Sequence, residues 1–266
     1  MIRTGIGGWI YPDWRGGTFY PAGLPQKREL EHASRALTSI EINGTYHRLQ
    51  KPDSFRKWRE QTPEGFVFAV KGSSYVTNRK ALATAGESLD KFFAQGLEEL
   101  GDRLGPILWQ FMGTKQFDAE DVSAFLQLLP RELAGRPLRH AIEAGHESFA
   151  CPQFVDLARE ASVAVVWLEQ EGRTAIADRT ADFAYMRCKN LHSTQAAGYP
   201  SADIGRIATL CRAWSDGQAP EGLPYATERK ASEGYRGDVF AFMINGAKER
   251  APAAAKALAE RIEGSP

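Results

Sequence analysis

The chain has 266 residues, 43% of them hydrophobic and 25% charged, and its 33 basic side chains balance its 33 acidic ones. This is the composition of a globular protein rather than a disordered one. A formal charge of zero removes the net basic surface that a dedicated nucleic-acid binder uses to release counterions, so nucleic acid is not indicated as a partner.

In chain order, apolar or alternating runs at 2–9, 39–43, 66–71, 106–111, 138–143, 163–168, 183–187 and 239–244 read as eight strands. Helical patterns lie between most of them, at 26–36, 52–60, 87–104, 118–129, 152–160, 201–214 and 247–262. The helices at 52 and 152 open on proline, which suits a first helical turn. Between the sixth and seventh strands only 169–181 remains, so that helix is short or absent. Eight strands alternating with helices over about 250 residues is the arithmetic of an α/β fold, a (β/α)8 TIM-type barrel. No linker or repeat divides the chain, and 1–266 reads as one domain. The stretch 215–237, rich in Gly, Pro and charge, reads as a mobile surface excursion before the last strand.

Polar residues fall where the strands end. In Ser39-Ile40-Glu41-Ile42-Asn43, period-two alternation puts the isoleucines under the helices and turns Glu41 and Asn43 toward the axis. Lys71, Gln110, Glu143, Arg187 and Asn245 close other strands in the same way. Enzymes on this fold draw catalytic groups from several strand ends. Glu41, Lys71, Glu143 and Arg187 are therefore the expected catalytic set, and their charges cancel, as buried charges require. Glu143 or Glu41 is the expected general base, while Lys71 and Arg187 polarise a carbonyl or hold an anion. Asn43, Gln110 and Asn245 would orient hydroxyls.

The first loop concentrates Trp9, Tyr11, Trp14, Phe19 and Tyr20 in twelve residues. They form either a plug over the barrel end or a stacking wall for a substrate, with Trp9, Tyr11, Trp14 and the neighbouring rim residue Tyr46 as its candidates. The amides of Asn245-Gly246-Ala247, with Lys189 and His192 beside them, offer an anion site at the last helix start. His140-x-x-Glu143-x-x-His146 has the spacing of a helical metal box, but in a strand His140 faces away from Glu143. A metal on Glu41, Glu143 and His146 is the remaining possibility of that kind; the residues specify no cofactor. His32, between charged neighbours, reads as solvated. Cys151, Cys188 and Cys211 form no zinc or disulfide spacing. The start lacks a signal-peptide core and no apolar run is long enough for a bilayer, so a cytoplasmic chain without membrane contact is expected.

Several motifs line up with a known family. Gly5-Ile-Gly-Gly-Trp9, Trp14-Arg-Gly-Gly-Thr-Phe-Tyr-Pro21, Glu41-Ile-Asn-Gly-Thr-Tyr-His-Arg48, Phe66-Val-Phe-Ala-Val-Lys71, Leu104-Gly-Pro-Ile-Leu-Trp-Gln110 and Asp182-Phe-Ala-Tyr-Met-Arg187 occur in order. On these the chain resembles the YecE-like family, labelled domain of unknown function 72. The resemblance implies a TIM-type barrel distantly like sugar isomerases, with no established reaction. The chain is a divergent member by this measure. It has Gly145 where the pattern has arginine, Thr77-Asn78 for threonine–histidine, and Lys189-Asn190 for histidine–glycine. It also lacks the prolines after Gln110, and keeps only Asn245 of an asparagine pair. The expectation is an isomerase- or lyase-like enzyme on a small polyhydroxylated or phosphorylated metabolite. The alternatives are a non-catalytic metabolite-binding barrel and a metal-dependent phosphodiester hydrolase.

Overall fold

Short apolar strands alternating with amphipathic helices build a parallel barrel in the computed structural model, which describes residues 1–264. The strands are β1 (Ile2–Gly7), β2 (Ser39–Ile42), β3 (Val67–Lys71), β4 (Leu104–Gln110), β5 (His140–Glu143), β6 (Ala164–Val165), β7 (Trp167–Glu169), β8 (Phe183–Cys188) and β9 (Asp238–Met243). They run β6-β5-β4-β3-β2-β1-β9-β8-β7, every pair parallel. Only Val166 separates β6 from β7. Ala164 lies opposite Ala141 of β5, while Trp167 lies opposite Met186 of β8. The expected sixth strand is thus one run bent at Val166, each half serving a different neighbour. The bend brings the two edges of the sheet together and turns eight expected strands into nine.

The main helices are α1 (Glu29–Ala36), α2 (Pro52–Gln61), α3 (Gly86–Phe93), α4 (Ala119–Leu128), α5 (Pro152–Glu160), α6 (Ser201–Ser215) and α7 (Ala251–Glu263). The expected helix at 87–104 is interrupted: α3 stops at Phe93, and a 3-10 stretch, Leu97–Arg103, follows. Gly96 makes the break with φ of +103°, where a Cβ would also strike the Pro52 ring.

Among the described residues no helix joins β7 to β8, as expected. The 215–237 stretch packs there and is tied down rather than free. Asp178 accepts from the amides of Ala226 at 2.7 Å and Thr227 at 3.1 Å, and from the Thr227 hydroxyl. The buried Ser232 hydroxyl accepts from the Arg179 amide, and Arg179 donates to the Trp214 carbonyl. Leu223, Tyr225 and Ala226 rest on the outer core where a sixth helix would lie. Composition marked this stretch as mobile because its anchors are distant in sequence.

Strand parity divides the apolar residues into two layers. Ile6, Ile40, Ile42, Phe68, Val70, Trp109 and Ile142 face the helices. Val67, Ala69, Leu108, Ala141 and Ala164 fill the lumen with Phe183, Tyr185, Phe240 and Phe242. The large rings of β8 and β9 lie with small side chains of β3, β5 and β6, so the lumen is filled rather than open. Gly5 completes the fit, since a Cβ there would meet the Ser39 carbonyl and the Phe242 ring.

Candidate active site

Above the lumen rings, the same parity carries polar side chains to the C-terminal end of the barrel. On β8 the axis-facing positions after Phe183 are Tyr185 and Arg187, and Lys189 continues the series past the strand end. The Arg187 guanidinium spans the axis. Its Nε and Nη2 donate to Glu41 of β2 at 3.0 and 2.9 Å, and its Nη1 donates to Glu143 of β5. Tyr185 donates to Glu41 at 2.7 Å, while Lys189 and Gln110 donate to Glu143 Oε1 at 2.7 and 2.6 Å. Both carboxylates and Arg187 are buried. Such a set is tolerable only because each charge has a charged partner.

The balancing fourth charge is Lys189, not Lys71 as expected. Among the described residues Lys71 Nζ makes no ion pair or hydrogen bond; it stands 4.0 Å over the Tyr46 ring. Asn78 donates to the Tyr46 hydroxyl at 3.1 Å and fixes that ring from the far side. Arg173 in the cavity lining, Lys71, and Lys248 near Tyr11 thus carry positive charge with no carboxylate within ion-pair distance among the described residues.

Electrostatics separate these groups. Burial alone would raise the Glu143 carboxyl, but Arg187 and Lys189 outweigh it and hold the pKa down at about 2. Burial works against the Arg187 charge, yet Glu143 and Glu41 keep its pKa above the ordinary value. Burial lowers Lys71 to about 8, with Arg187 and Lys189 acting in the same direction against Glu41 and Glu143. The Tyr46 ring favours the ammonium by about 0.5–1 kcal/mol, less than one pKa unit, so the shift survives it. Lys189 is lowered by burial, with Glu143 opposing.

These residues floor and flank a cavity of about 290 Å³ lined by Tyr46, Asn78, Gln110, Glu143, Lys189 and Asn245, with Arg173 at its side. Its size lies at the lower end for small-molecule sites. Gly145 and Gly113 face each other across 3.5 Å between a would-be Cβ and Cα, and the Arg173 guanidinium lies against Gly113.

The aromatic loop divides. Trp14 is fully buried, gives its indole N–H to the Lys248 carbonyl at 2.9 Å, and packs among Tyr11, Phe19 and Tyr20. It is a plug residue with no face left for a substrate. Trp9 turns outward, its ring edge-on to Trp58 of α2 at 5.1 Å and near Phe68, and so lies outside the cavity lining. Tyr11 stays at the rim, with the Lys248 ammonium 5.0 Å from its ring. Asn43 donates to the Glu41 carbonyl at 3.2 Å and so braces the end of β2. His32 is half-buried, with its ring packed edge-on to Phe19 and Tyr20.

Two other expectations fail on geometry. The Ala247 amide is spent on the Leu191 carbonyl at 2.8 Å, and Lys189 turns inward to Glu143, so the anion site at 245–247 is not assembled. His140 takes the Trp109 indole N–H on Nδ1 at 3.1 Å and meets the Pro130 carbonyl with Nε2, under the helix layer as expected. His146 Nδ1 caps a short turn through Ser148, and both carboxylates are committed to cations. Among the described residues no group of three His, Cys, Asp or Glu is placed to share a metal. The set Glu41, Glu143 and His146 is therefore not brought together. Tyr185 and Lys189 belonged to the site by a signal already in the sequence, since they lie two residues either side of Arg187 on the same strand face.

Comparison with known proteins agrees with this architecture. UPF0759 protein YecE of Escherichia coli K12 is 28% identical over 152 residues, covering 56% of this chain and 50% of that protein. UPF0759 protein YunF of Bacillus subtilis strain 168 is 24% identical over 173 residues, covering 63% and 59%. The matched stretches thus span about half the length of these curated relatives. Among solved structures, a DUF72 family protein of Thermotoga maritima superimposes over 100% of both chains with a TM-score of 0.73 at 18% identity. One from Enterococcus faecalis does so over 100% of this chain and 97% of its own, with a TM-score of 0.70 at 17% identity. Among the described residues no helix is long and apolar enough to cross a membrane. Residues 3–266 match the family model described as protein of unknown function DUF72, and the chain belongs to that family.

Proposed function

We propose that the protein is a cytoplasmic enzyme acting on a small polyhydroxylated metabolite that carries an anionic group such as phosphate, with isomerase- or lyase-like chemistry at the barrel mouth. The observation that carries this reading is a polar cavity whose floor, Glu41–Arg187–Glu143–Lys189, is already neutral, while Arg173 in its lining and Lys71 over the Tyr46 ring add positive charge with no carboxylate partner among the described residues. A structural network needs no such excess; an anionic ligand would complete it.

In this reading Tyr46, Asn78, Gln110 and Asn245 take the hydroxyls, and Lys189, which lines the cavity, holds the developing negative charge of a polarised carbonyl while Arg187 fixes the two carboxylates beneath it. Glu143 is not the base. Its oxygens are occupied, and a carboxylate with a pKa near 2 is a weak proton acceptor at neutral pH. It positions Lys189 and Gln110 instead. Lys71 is the inner group whose nitrogen is free to act on a bound substrate.

Isomerases and lyases of this kind share proton removal beside a carbonyl. The test is a panel of aldose and ketose phosphates incubated with the protein in D2O and followed by proton NMR. Enzyme-dependent loss of a carbon-bound proton signal supports the proposal, whatever the final product. Binding without exchange would assign the barrel to metabolite sensing, and neither binding nor exchange across the panel would overturn the reading.

A further inference from the structure

We infer that Lys71 is a covalent nucleophile, forming an imine with an aldehyde or ketone substrate held in the mouth cavity. The inference rests on the proposed function and deepens it, by fixing the substrate class as a carbonyl compound with an anionic group.

Four observations carry it. Lys71 closes β3 on the axis-facing parity, beside the cavity wall formed by Tyr46. Its amine has no carboxylate partner and no hydrogen bond among the described residues. The nitrogen is not cut off from solvent, and it lies against Tyr46, which lines the cavity. The two carboxylates that might have paired with it are taken by Arg187 and Lys189. A lysine held this way, desolvated and crowded by other cations, keeps a larger share of neutral amine with a free lone pair than an ordinary lysine does. The groups facing it are Arg187, Glu41, Glu143, Lys189 and the Tyr46 ring. The anion-holding role does not need Lys71, since Arg173 lines the cavity and has no carboxylate partner among the described residues.

The step balances without a further reactant. The amine lone pair forms the C–N bond as the carbonyl π electrons move to oxygen. The two protons of the amine pass to that oxygen, which leaves as water, and the C=N bond remains.

The experiment uses the whole wild-type chain with D-glyceraldehyde 3-phosphate, and separately with pyruvate. Sodium cyanoborohydride is the hydride donor that reduces an iminium to a stable secondary amine. Peptide mapping by mass spectrometry then reads each lysine. An amine near pKa 8 is about half neutral at pH 8, against about 0.3% for an ordinary lysine. Lys71 should be labelled at least about tenfold faster than every other lysine. Its rate should rise less than about twofold from pH 8 to 9, while the others rise about tenfold. Equal labelling of all lysines, or a tenfold rise at Lys71, would overturn the inference. Proton exchange in D2O without selective trapping would leave the proposed function standing with Lys71 as an ammonium. Absence of both would remove the two together.

Discussion

Both ends of this barrel carry charged groups on the axis, and they are built differently. At the N-terminal end Asp238 meets the Met1 ammonium at 3.1 Å and Arg139 at 2.9 Å, with Arg139 lying over the Phe183 and Phe240 rings. Asp238 is 26% and Arg139 32% exposed, and Arg3 nearby ends on the Gly65 carbonyl. At the C-terminal end Glu41 and Arg187 are 0% and 3% exposed, and a cavity opens above them. The lower set is a solvent-assisted closure of the barrel floor. The upper set is withdrawn from water yet left with excess positive charge, an arrangement that costs stability unless a ligand uses it. Charge on the axis alone does not distinguish the two ends; burial together with an unbalanced cation does, and on the proposed reading that difference marks the candidate site.

This contrast can be broken by substitution. Glu41→Gln leaves the buried Arg187 fork and the Tyr185 hydroxyl without their carboxylate, and should lower stability by about 3–5 kcal/mol in urea unfolding. Loss below about 1 kcal/mol would mean that the upper network is no more demanding than the lower.

Acid should act through two buried groups, His140 under the helix layer and Glu143 in the upper network. Burial pulls His140 down to about 4, so between about pH 6.5 and 4 the unfolded chain binds a proton that the folded chain refuses, and stability falls as pH falls. Glu143, held at about 2, adds stability above its ordinary pKa of 4.5 and loses it progressively as pH falls from there toward 2. Each is worth at most about 3 kcal/mol. The urea midpoint should decline from pH 7 to 4, and His140→Gln should flatten that part of the curve while leaving the steeper loss below. An unchanged profile in the variant would show that His140 does not carry the upper slope.

Asp238→Asn should change stability by no more than about 1 kcal/mol, since its partners remain near water and are screened. A loss equal to that of Glu41→Gln would erase the distinction between the ends.

Much of this was readable from residue parity. Alternation in Ser39–Ile42 placed Ile40 and Ile42 outward and Glu41 inward, and the same count brought Gln110, Glu143 and Arg187 to one end. What parity cannot give is which cation pairs with which carboxylate. Lys71 and Lys189 both reach the axis, and only the reach of Lys189 to Glu143 decides between them. Residue type likewise did not separate Trp14, which seals the loop, from Tyr11, which stays at the rim. The anchoring of 215–237 depends on Asp178 and Arg179, remote in sequence, and was beyond any local pattern.

The most direct measurement is a thermal-shift panel of sugar phosphates and inorganic phosphate on the wild type and on Gly145→Phe. A Cβ at Gly145 meets only ordinary contact at Gly113, and a larger side chain there would fill the cavity that Gly145 lines. A ligand at 100 times its Kd adds about 2.7 kcal/mol of stability. The account predicts that at least one sugar phosphate stabilises the wild type by such an amount, and that the variant, measured against its own unliganded melting point, gains nothing. Stabilisation that survives the filled cavity, or none in either protein, would contradict it.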